Sequence, residues 1–175
     1  YFLRHRVPLD NEKAVAEALS NIRIDFQATP EKTSIFLNGE DVSEEIRQMY
    51  ISDNVSEVSA LKAVRQAMVA QQQELGRKRD IVMDGRDIGT TVFPDANVKI
   101  FMTADSKIRA ERRYLELKNK GEKITLEEVF ENLAHRDYID TTREESPLVR
   151  AHDAIILDNT ELNEEEQLQF VLDRL

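Results

Sequence analysis

The stretch 84–94, DGRDIGTTVFP, directly follows a short apolar run, DIVM, at 80–83. It holds two of the chain's five glycines, and an arginine and an aspartate, Arg86 and Asp87, lie between them. A short apolar run without alternation is typical of a strand buried on both faces of a parallel sheet. Ligands of open parallel sheets bind outside the carboxyl ends of the strands. This stretch therefore predicts a fold class and a candidate site together.

Two more apolar runs support a parallel sheet, VKIFMT at 98–103 and DAIILD at 153–158. Apolar residues at helical spacing predict helices over 106–119 and 125–140. We expect the C-terminal segment 163–175 to bury Leu168, Val171, Leu172 and Leu175. Strands that alternate with helices in this way predict an α/β fold, with a parallel sheet flanked by helices.

The first part of the chain has a different pattern. Asp10 or Asn11 can cap a helix, and IRIDF (22–26) then alternates with the period of a strand. SIFLNGEDV (34–42) predicts a second strand that leads into an Asn-Gly turn. We expect a small antiparallel unit here, followed by a short helix at 44–50 and a longer one over about 55–76.

The composition of the chain argues against several classes of partner and site. The chain has 175 residues and a net charge of −10, so a long nucleic acid is not an expected partner. No apolar run is long enough to span a membrane. The chain has no cysteine, which excludes disulfides and thiolate metal sites and fits a cytoplasmic location. The three histidines lack metal-ligand spacing, and we expect no metal site.

The DGRDIG segment offers groups suited to a nucleotide. Gly85 and Gly89 let the backbone turn tightly or approach a ligand closely. Arg86 offers a fork of donors for a phosphate, and Asp87 accepts from an exocyclic amine or a hydroxyl. The alternative is an Arg–Asp pair on the surface of a turn, which would contribute little energy. The local sequence leaves both interpretations open.

HRDYIDTTR (135–143) is a second candidate. Arg136, Asp140 and Arg143 have the spacing i, i+4, i+7, so a helix that continues through them would present all three on one face. An aspartate between two arginines stays ionised and holds both guanidinium groups. Such a face can bind a phosphate and a sugar hydroxyl. The alternative is a solvated helix face with internal ion pairs.

Two weaker candidates remain. Ser56 and Arg65 are nine residues apart in VSEVSALKAVR, but Ser56 is equally suited to cap a helix and Arg65 to lie on the surface. Arg109, Arg112 and Arg113 form a basic cluster that can close over a polyphosphate. The alternative is that Glu111 and Glu116 neutralise this cluster.

Two negative observations accompany these candidates. No glycine is followed by lysine, so the phosphate-binding motif GxxxxGK[ST] is not in this sequence. Asp84 and Asp158 each follow or end a predicted strand, and we expect them to cap turns rather than to bind Mg²⁺.

Four ordered motifs resemble bacterial cytidylate kinases: NGEDVSEEIR (38–47), VSEVSALKAVR (55–65), DGRDIGTTVFPDANVKIFMTA (84–104) and HRDYIDTTREESPL (135–148). The resemblance covers nearly the whole chain from about residue 22. It implies transfer of phosphate from ATP, bound with Mg²⁺, to CMP or dCMP. It also implies a P-loop nucleoside monophosphate kinase fold, a monomer and a cytoplasmic protein. The insert would be 22–75, the core 1–21 with 76–175, and the lid about 114–128.

The resemblance also implies roles for individual residues. Cytosine would be recognised by Ser56, Arg65 and Asp87. The sugar would be bound by Arg136 and Asp140. The acceptor phosphate would be bound by Arg86 and Arg143, which would be the catalytic arginines. The ATP phosphates would be reached by Arg109, Arg112 and Arg113.

Two features depart from the family pattern. Lys62 stands where many members have proline, which bears on the shape of that helix. In addition, the family's first strand, P-loop, following helix and second strand would all precede Tyr1. We therefore expect an incomplete parallel sheet and no kinase activity from these 175 residues alone. The alternatives are a non-catalytic pyrimidine-nucleotide-binding fragment and an acidic interaction domain.

Overall fold

A computed structural model describes residues 1–29, 32–77 and 80–175 of the chain. It is an α/β structure whose contacts form two compact units, 1–71 and 72–175. The longer helices in the described residues are α1 (Glu12–Ser20), α2 (Met49–Ala60), α3 (Lys62–Gly76), α4 (Ser106–Asn119), α5 (Leu126–Thr142) and α6 (Glu164–Leu172). The strands are β1 (Ile24–Ala28), β2 (Thr33–Leu37), β3 (Glu40–Asp41), β4 (Ile100–Thr103) and β5 (Ile155–Asp158).

The sheet of the first unit is antiparallel, as the sequence predicts. Its strand order is β1-β2-β3, and Ile24 pairs with Leu37 in the register of β1 and β2. Asn38 and Gly39, between β2 and β3, have φ angles of 51° and 87°. Positive φ at both central residues is the requirement of the two-residue hairpin turn that Asn-Gly favours.

A small apolar core holds the first unit together. Phe2, Val15, Ala18 and Val64 are buried in one cluster. Asn11 caps α1 by accepting a hydrogen bond from the Ala14 backbone N at 3.1 Å, which confirms one of the two predicted caps. Contacts thus group residues 1–21 with the first unit. Their functional assignment to the core domain stays a prediction.

The helix expected over 55–76 is two helices, so that prediction is wrong in detail. Leu61, with φ −64° and ψ 125°, is extended and separates α2 from α3. Apolar residues on both sides of the break pack against the same core, so their spacing resembles one continuous helix. Lys62 is the first residue of α3. Proline is well suited to the first position of a helix. The break between α2 and α3 is therefore present here even though lysine, and not proline, occupies that position.

The second unit contains a parallel strand pair. β4 pairs with β5, with Ile100 opposite Ile155 and Thr103 opposite Asp158. Helices α4 and α5 lie next to each other, and Leu117 and Val129 from these helices are 0% and 1% exposed. The strands predicted at 98–103 and 153–158 are confirmed, and their parallel orientation agrees with the predicted parallel sheet. The helices predicted over 106–119 and 125–140 form within two residues of those limits. The C-terminal segment contains α6, but Leu168, Leu172 and Leu175 are 58%, 51% and 82% exposed, so their expected burial is wrong.

Residues 80–83 do not form the predicted strand. They have no regular structure, and Val82 is fully exposed. An extended apolar segment becomes a strand only when a neighbouring strand exchanges hydrogen bonds with it. Within the described residues, no strand does so for this segment.

The described helices include none that is both long and apolar enough to span a membrane.

The break between α2 and α3 leads to a test. We expect Lys62→Pro to leave the free energy of unfolding unchanged or to raise it by up to about 1 kcal/mol, because the preceding Leu61 already has the extended backbone that proline demands. Ala67→Pro, inside α3, is the control and should cost about 3 kcal/mol. Urea denaturation measures both, and an equal loss in the two variants would contradict the break.

Candidate functional site

The DGRDIG segment ends in one wide turn. Ile88–Val92 forms a single π-helical turn, in which the Val92 backbone N donates to the Asp87 carbonyl at 3.2 Å and the Phe93 N to the Ile88 carbonyl at 2.7 Å. Such turns are frequent at functional sites. The Arg86 side chain is 44% exposed, whereas Asp87 is only 3% exposed. The alternative interpretation, in which Arg86 and Asp87 form an ion pair on the surface of a turn, is therefore wrong, because Asp87 is buried.

The two glycines of the segment lie close to other side chains of the protein. Neither Gly85 nor Gly89 has a positive φ. A Cβ atom on Gly85 would lie 2.8 Å from Cγ1 of Ile88, and one on Gly89 would lie 3.2 Å from Cδ of Lys99. The role predicted for these glycines was to let the backbone turn tightly or approach a ligand closely. In the structure, the space beside each glycine is filled by another side chain of the protein.

Asp140 is the centre of the candidate site. Its carboxylate is held on both oxygens: Arg86 Nε lies 3.0 Å from Oδ2, and Arg143 Nη1 lies 3.1 Å from Oδ1. Asp140 is 5% exposed. A buried carboxylate is stabilised only when charged donors satisfy it, and two guanidinium groups do so here. The predicted aspartate between two arginines is present, but one arginine comes from the DGRD segment, 54 residues away.

The helix that carries Asp140 starts and ends at defined residues. Thr125 and Glu128 form a capping box at the first turn of α5. The helix ends at Thr142, and Arg143 has left the helical conformation with ψ 144°. The condition for Arg136, Asp140 and Arg143 to share one helical face, a helix that continues through all three, is therefore not met. Arg143 still pairs with Asp140 because its guanidinium group bends back over the end of the helix.

Arg136 shows that this region has an excess of positive charge. Burial lowers the pKa of Arg136, and the charge of Arg86 lowers it further. Asp140 raises the pKa of Arg136, but by less than Arg86 lowers it. Three arginines, Arg86, Arg136 and Arg143, thus share the region around one aspartate. Several arginines around one aspartate offer donors suited to an anion such as a phosphate group.

The arginines of α4 bind other parts of the second unit. Arg109 contacts both carboxylate oxygens of Asp137, which raises the pKa of Arg109. Arg112 donates to the backbone carbonyls of Asn159 and Thr160 at 2.8 and 2.9 Å. These contacts connect α4 to α5 and to the loop after β5.

Arg113 pairs with Glu116 at 2.7 Å. For this arginine the structure shows the ion pair with Glu116 that the alternative interpretation requires. The proposed contact of the three α4 arginines with ATP stays a prediction.

Ser56 and Arg65 lie in the first unit. Ser56 is 2% exposed in the interior of α2, so its alternative role as a helix cap is wrong. The break at Leu61 falls between the two residues, so Ser56 and Arg65 lie on two different helices. Their place beside Asp87 in one binding site stays a prediction.

Two partners in the site were not identified from the sequence. Asp137, which binds Arg109, follows Arg136 directly in the sequence. This Arg–Asp dipeptide is the sequence feature from which an acidic partner for an arginine could have been predicted. The backbone carbonyl of Ser146 accepts from Arg143, and no side-chain pattern marks such a contact.

Asp158, at the end of β5, stabilises a turn. Asp158 accepts from Thr160 N and Oγ1 at 3.0 and 2.6 Å, which lowers its pKa and confirms it as a turn cap. Among the described residues, no group of three His, Cys, Asp or Glu side chains is arranged for a metal ion. An open cavity of about 660 Å³ in the first unit, beside Lys32, Asp41, Arg47 and Tyr50, contains none of the predicted site residues.

The burial of Asp140 leads to a matched comparison. Asp140→Asn should lower the free energy of unfolding by roughly 3 kcal/mol, because it removes the carboxylate that compensates Arg143, which is itself buried. Asp137→Asn removes a half-exposed partner of Arg109 and should cost below about 1 kcal/mol. Chemical denaturation separates the two variants, and similar losses would contradict the central role of Asp140.

Comparison with known proteins identifies the family. A family model described as cytidylate kinase matches residues 1–175. A cytidylate kinase of Bacteroides thetaiotaomicron is 53% identical over 165 residues, which is 93% of this chain and 72% of the relative. A cytidylate kinase of Cytophaga hutchinsonii is 51% identical over 174 residues, or 98% of this chain and 74% of the relative. The chain therefore belongs to the cytidylate kinase family, whose members are nucleoside monophosphate kinases.

Proposed function

We propose that this protein transfers the γ-phosphoryl group of ATP to CMP or dCMP, giving ADP and CDP or dCDP. An oxygen of the acceptor phosphate forms a bond to the γ-phosphorus, and the bond from that phosphorus to the β–γ bridging oxygen breaks. The observation that carries the proposal is the Arg86–Asp140–Arg143 network with Arg136 beside it. The cytidylate kinase relatives support it.

Arg86 and Arg143 are the proposed ligands of the acceptor phosphate. Arg86 is the more exposed of the two and offers its terminal nitrogens, because only its Nε is bound to Asp140. Arg143 adds a positive charge on the other side of Asp140. Catalysis in such a site comes from positioning of the reactants and stabilisation of the charge that develops on the transferred group.

The sugar and the base take the neighbouring residues. Arg136 and the carboxylate of Asp140 are suited to hold the ribose hydroxyls, because the region supplies both donors and an acceptor. Asp87, which is nearly buried, would accept a hydrogen bond from the exocyclic amine of cytosine. Uracil has a carbonyl at that position and would be repelled. Ser56 and Arg65 complete the proposed base site.

ATP is the co-substrate and arrives as its magnesium complex. Arg109, Arg112 and Arg113 are proposed to lie near its phosphates, at the start of a lid over about 114–128. Among the described residues, no group of three His, Cys, Asp or Glu side chains is arranged to hold the magnesium ion. The proposal includes the P-loop nucleoside monophosphate kinase fold, with 22–75 as the insert on the CMP side, and a monomer acting in the cytoplasm.

The direct test measures nucleotide binding and phosphoryl transfer by the protein expressed from its complete coding sequence. We expect CDP to form from CMP and ATP. We also expect CMP at about 100 times its Kd to stabilise the fold by about 2.7 kcal/mol. Binding of CMP without binding of ATP or transfer would favour a non-catalytic nucleotide-binding protein. If neither nucleotide raised the melting temperature, an acidic interaction domain would be favoured.

Asp87 provides a test of base recognition. Asp87→Asn should lower the preference for CMP over UMP in kcat/KM by roughly 10- to 100-fold, because the amide loses the charged acceptor and gains a donor for uracil. Asp95→Asn is the matched control, since it makes the same change of charge at an exposed residue of the same loop and should leave the preference unchanged. An unchanged ratio in the Asp87 variant would remove this residue from the base site.

A further inference from the structure

The segment after α5 folds back on the end of that helix. The Leu148 backbone N donates to the carbonyl of Asp140 at 2.7 Å. The carbonyl oxygen of Ser146 accepts from both Nε and Nη2 of Arg143, at 2.9 and 2.8 Å. With Nη1 bound to Asp140, all three nitrogens of this guanidinium group are held by the protein. The Arg143 side chain is only 3% exposed.

Ser146 has an unusual backbone conformation. Its φ angle is 49°, in the left-handed region that residues other than glycine, asparagine and aspartate rarely adopt. Within the described residues, the hydroxyl of Ser146 makes no hydrogen bond. The contribution of this residue to the site is therefore the direction of its carbonyl group, which the left-handed backbone turns toward Arg143.

We propose that Ser146 is a positioning residue for the acceptor-phosphate site. Its carbonyl orients Arg143, Arg143 holds one oxygen of Asp140, and Asp140 holds Arg86 through the other. A long arginine side chain that is already fixed loses little conformational entropy when a ligand binds. This inference rests on the proposed function for the identity of the ligand. The contact between Ser146 and Arg143 can be tested separately.

The test varies the backbone preference at one position. Valine is strongly disfavoured at positive φ, glycine adopts it freely, and asparagine tolerates it. Ser146→Val should weaken CMP binding by about tenfold, which corresponds to about 1.4 kcal/mol, and leave the KM for ATP close to its starting value. Ser146→Gly and Ser146→Asn should keep the starting affinity for CMP. Equal losses in all three variants would contradict the proposal.

A second background separates positioning from general damage to the fold. If Ser146 acts through Arg143, then Ser146→Val should have little further effect on CMP affinity once Arg143→Lys is present. Calorimetry on the four proteins of this cycle measures the coupling. An equal loss in both backgrounds would overturn the proposal.

Solvent exchange of the Arg143 Nε proton, followed by NMR, tests the contact without any ligand. We expect slow exchange in the unmodified protein and in Ser146→Asn, and fast exchange in Ser146→Val. Exchange that is the same in all three would overturn the positioning role. If instead Arg143→Lys leaves CMP affinity unchanged, the proposed function of Arg143 fails, and the exchange rates alone decide whether Ser146 orients its side chain.

Discussion

A carboxylate that is almost completely removed from water is the main constraint on the second unit. The hydrogen-bond partners of this carboxylate must come from the protein, and Arg86 and Arg143 each contact one oxygen of Asp140. Arg86 lies before the π-helical turn and Arg143 follows α5, so this requirement joins two segments that are distant in the chain. This pair of contacts brings Arg86, Asp140 and Arg143 together.

Local and global charge have opposite signs in this protein. The chain carries a net charge of −10, yet Arg136 lies where neighbouring arginines and burial lower its pKa. A site of this kind can attract the phosphate of a small nucleotide, while the rest of the surface repels long polyanions. This contrast is consistent with membership of the cytidylate kinase family, whose substrates are small anions.

Prediction from the sequence succeeded where the signal is local. The Asn-Gly turn, the cap at Asn11 and the apolar strands at β4 and β5 depend on neighbouring residues or on simple periodicity. It failed at 80–83, because a strand depends on a partner that the pattern of its own residues does not specify. It also failed at Leu61, where a single extended residue does not disturb the apolar spacing on either side.

The candidate site shows the same division. Four ordered motifs, DGRDIG and HRDYIDTTR among them, were sufficient to predict the family, because these motifs are written directly in the chain. The anion site that the resemblance implies stays a prediction. Only the tertiary structure decided that Asp140 pairs with Arg86, that side chains of the protein fill the space beside Gly85 and Gly89, and that the Ser146 carbonyl holds Arg143. The physical reason is that these contacts join distant segments or involve backbone groups, which every residue carries and no sequence pattern marks.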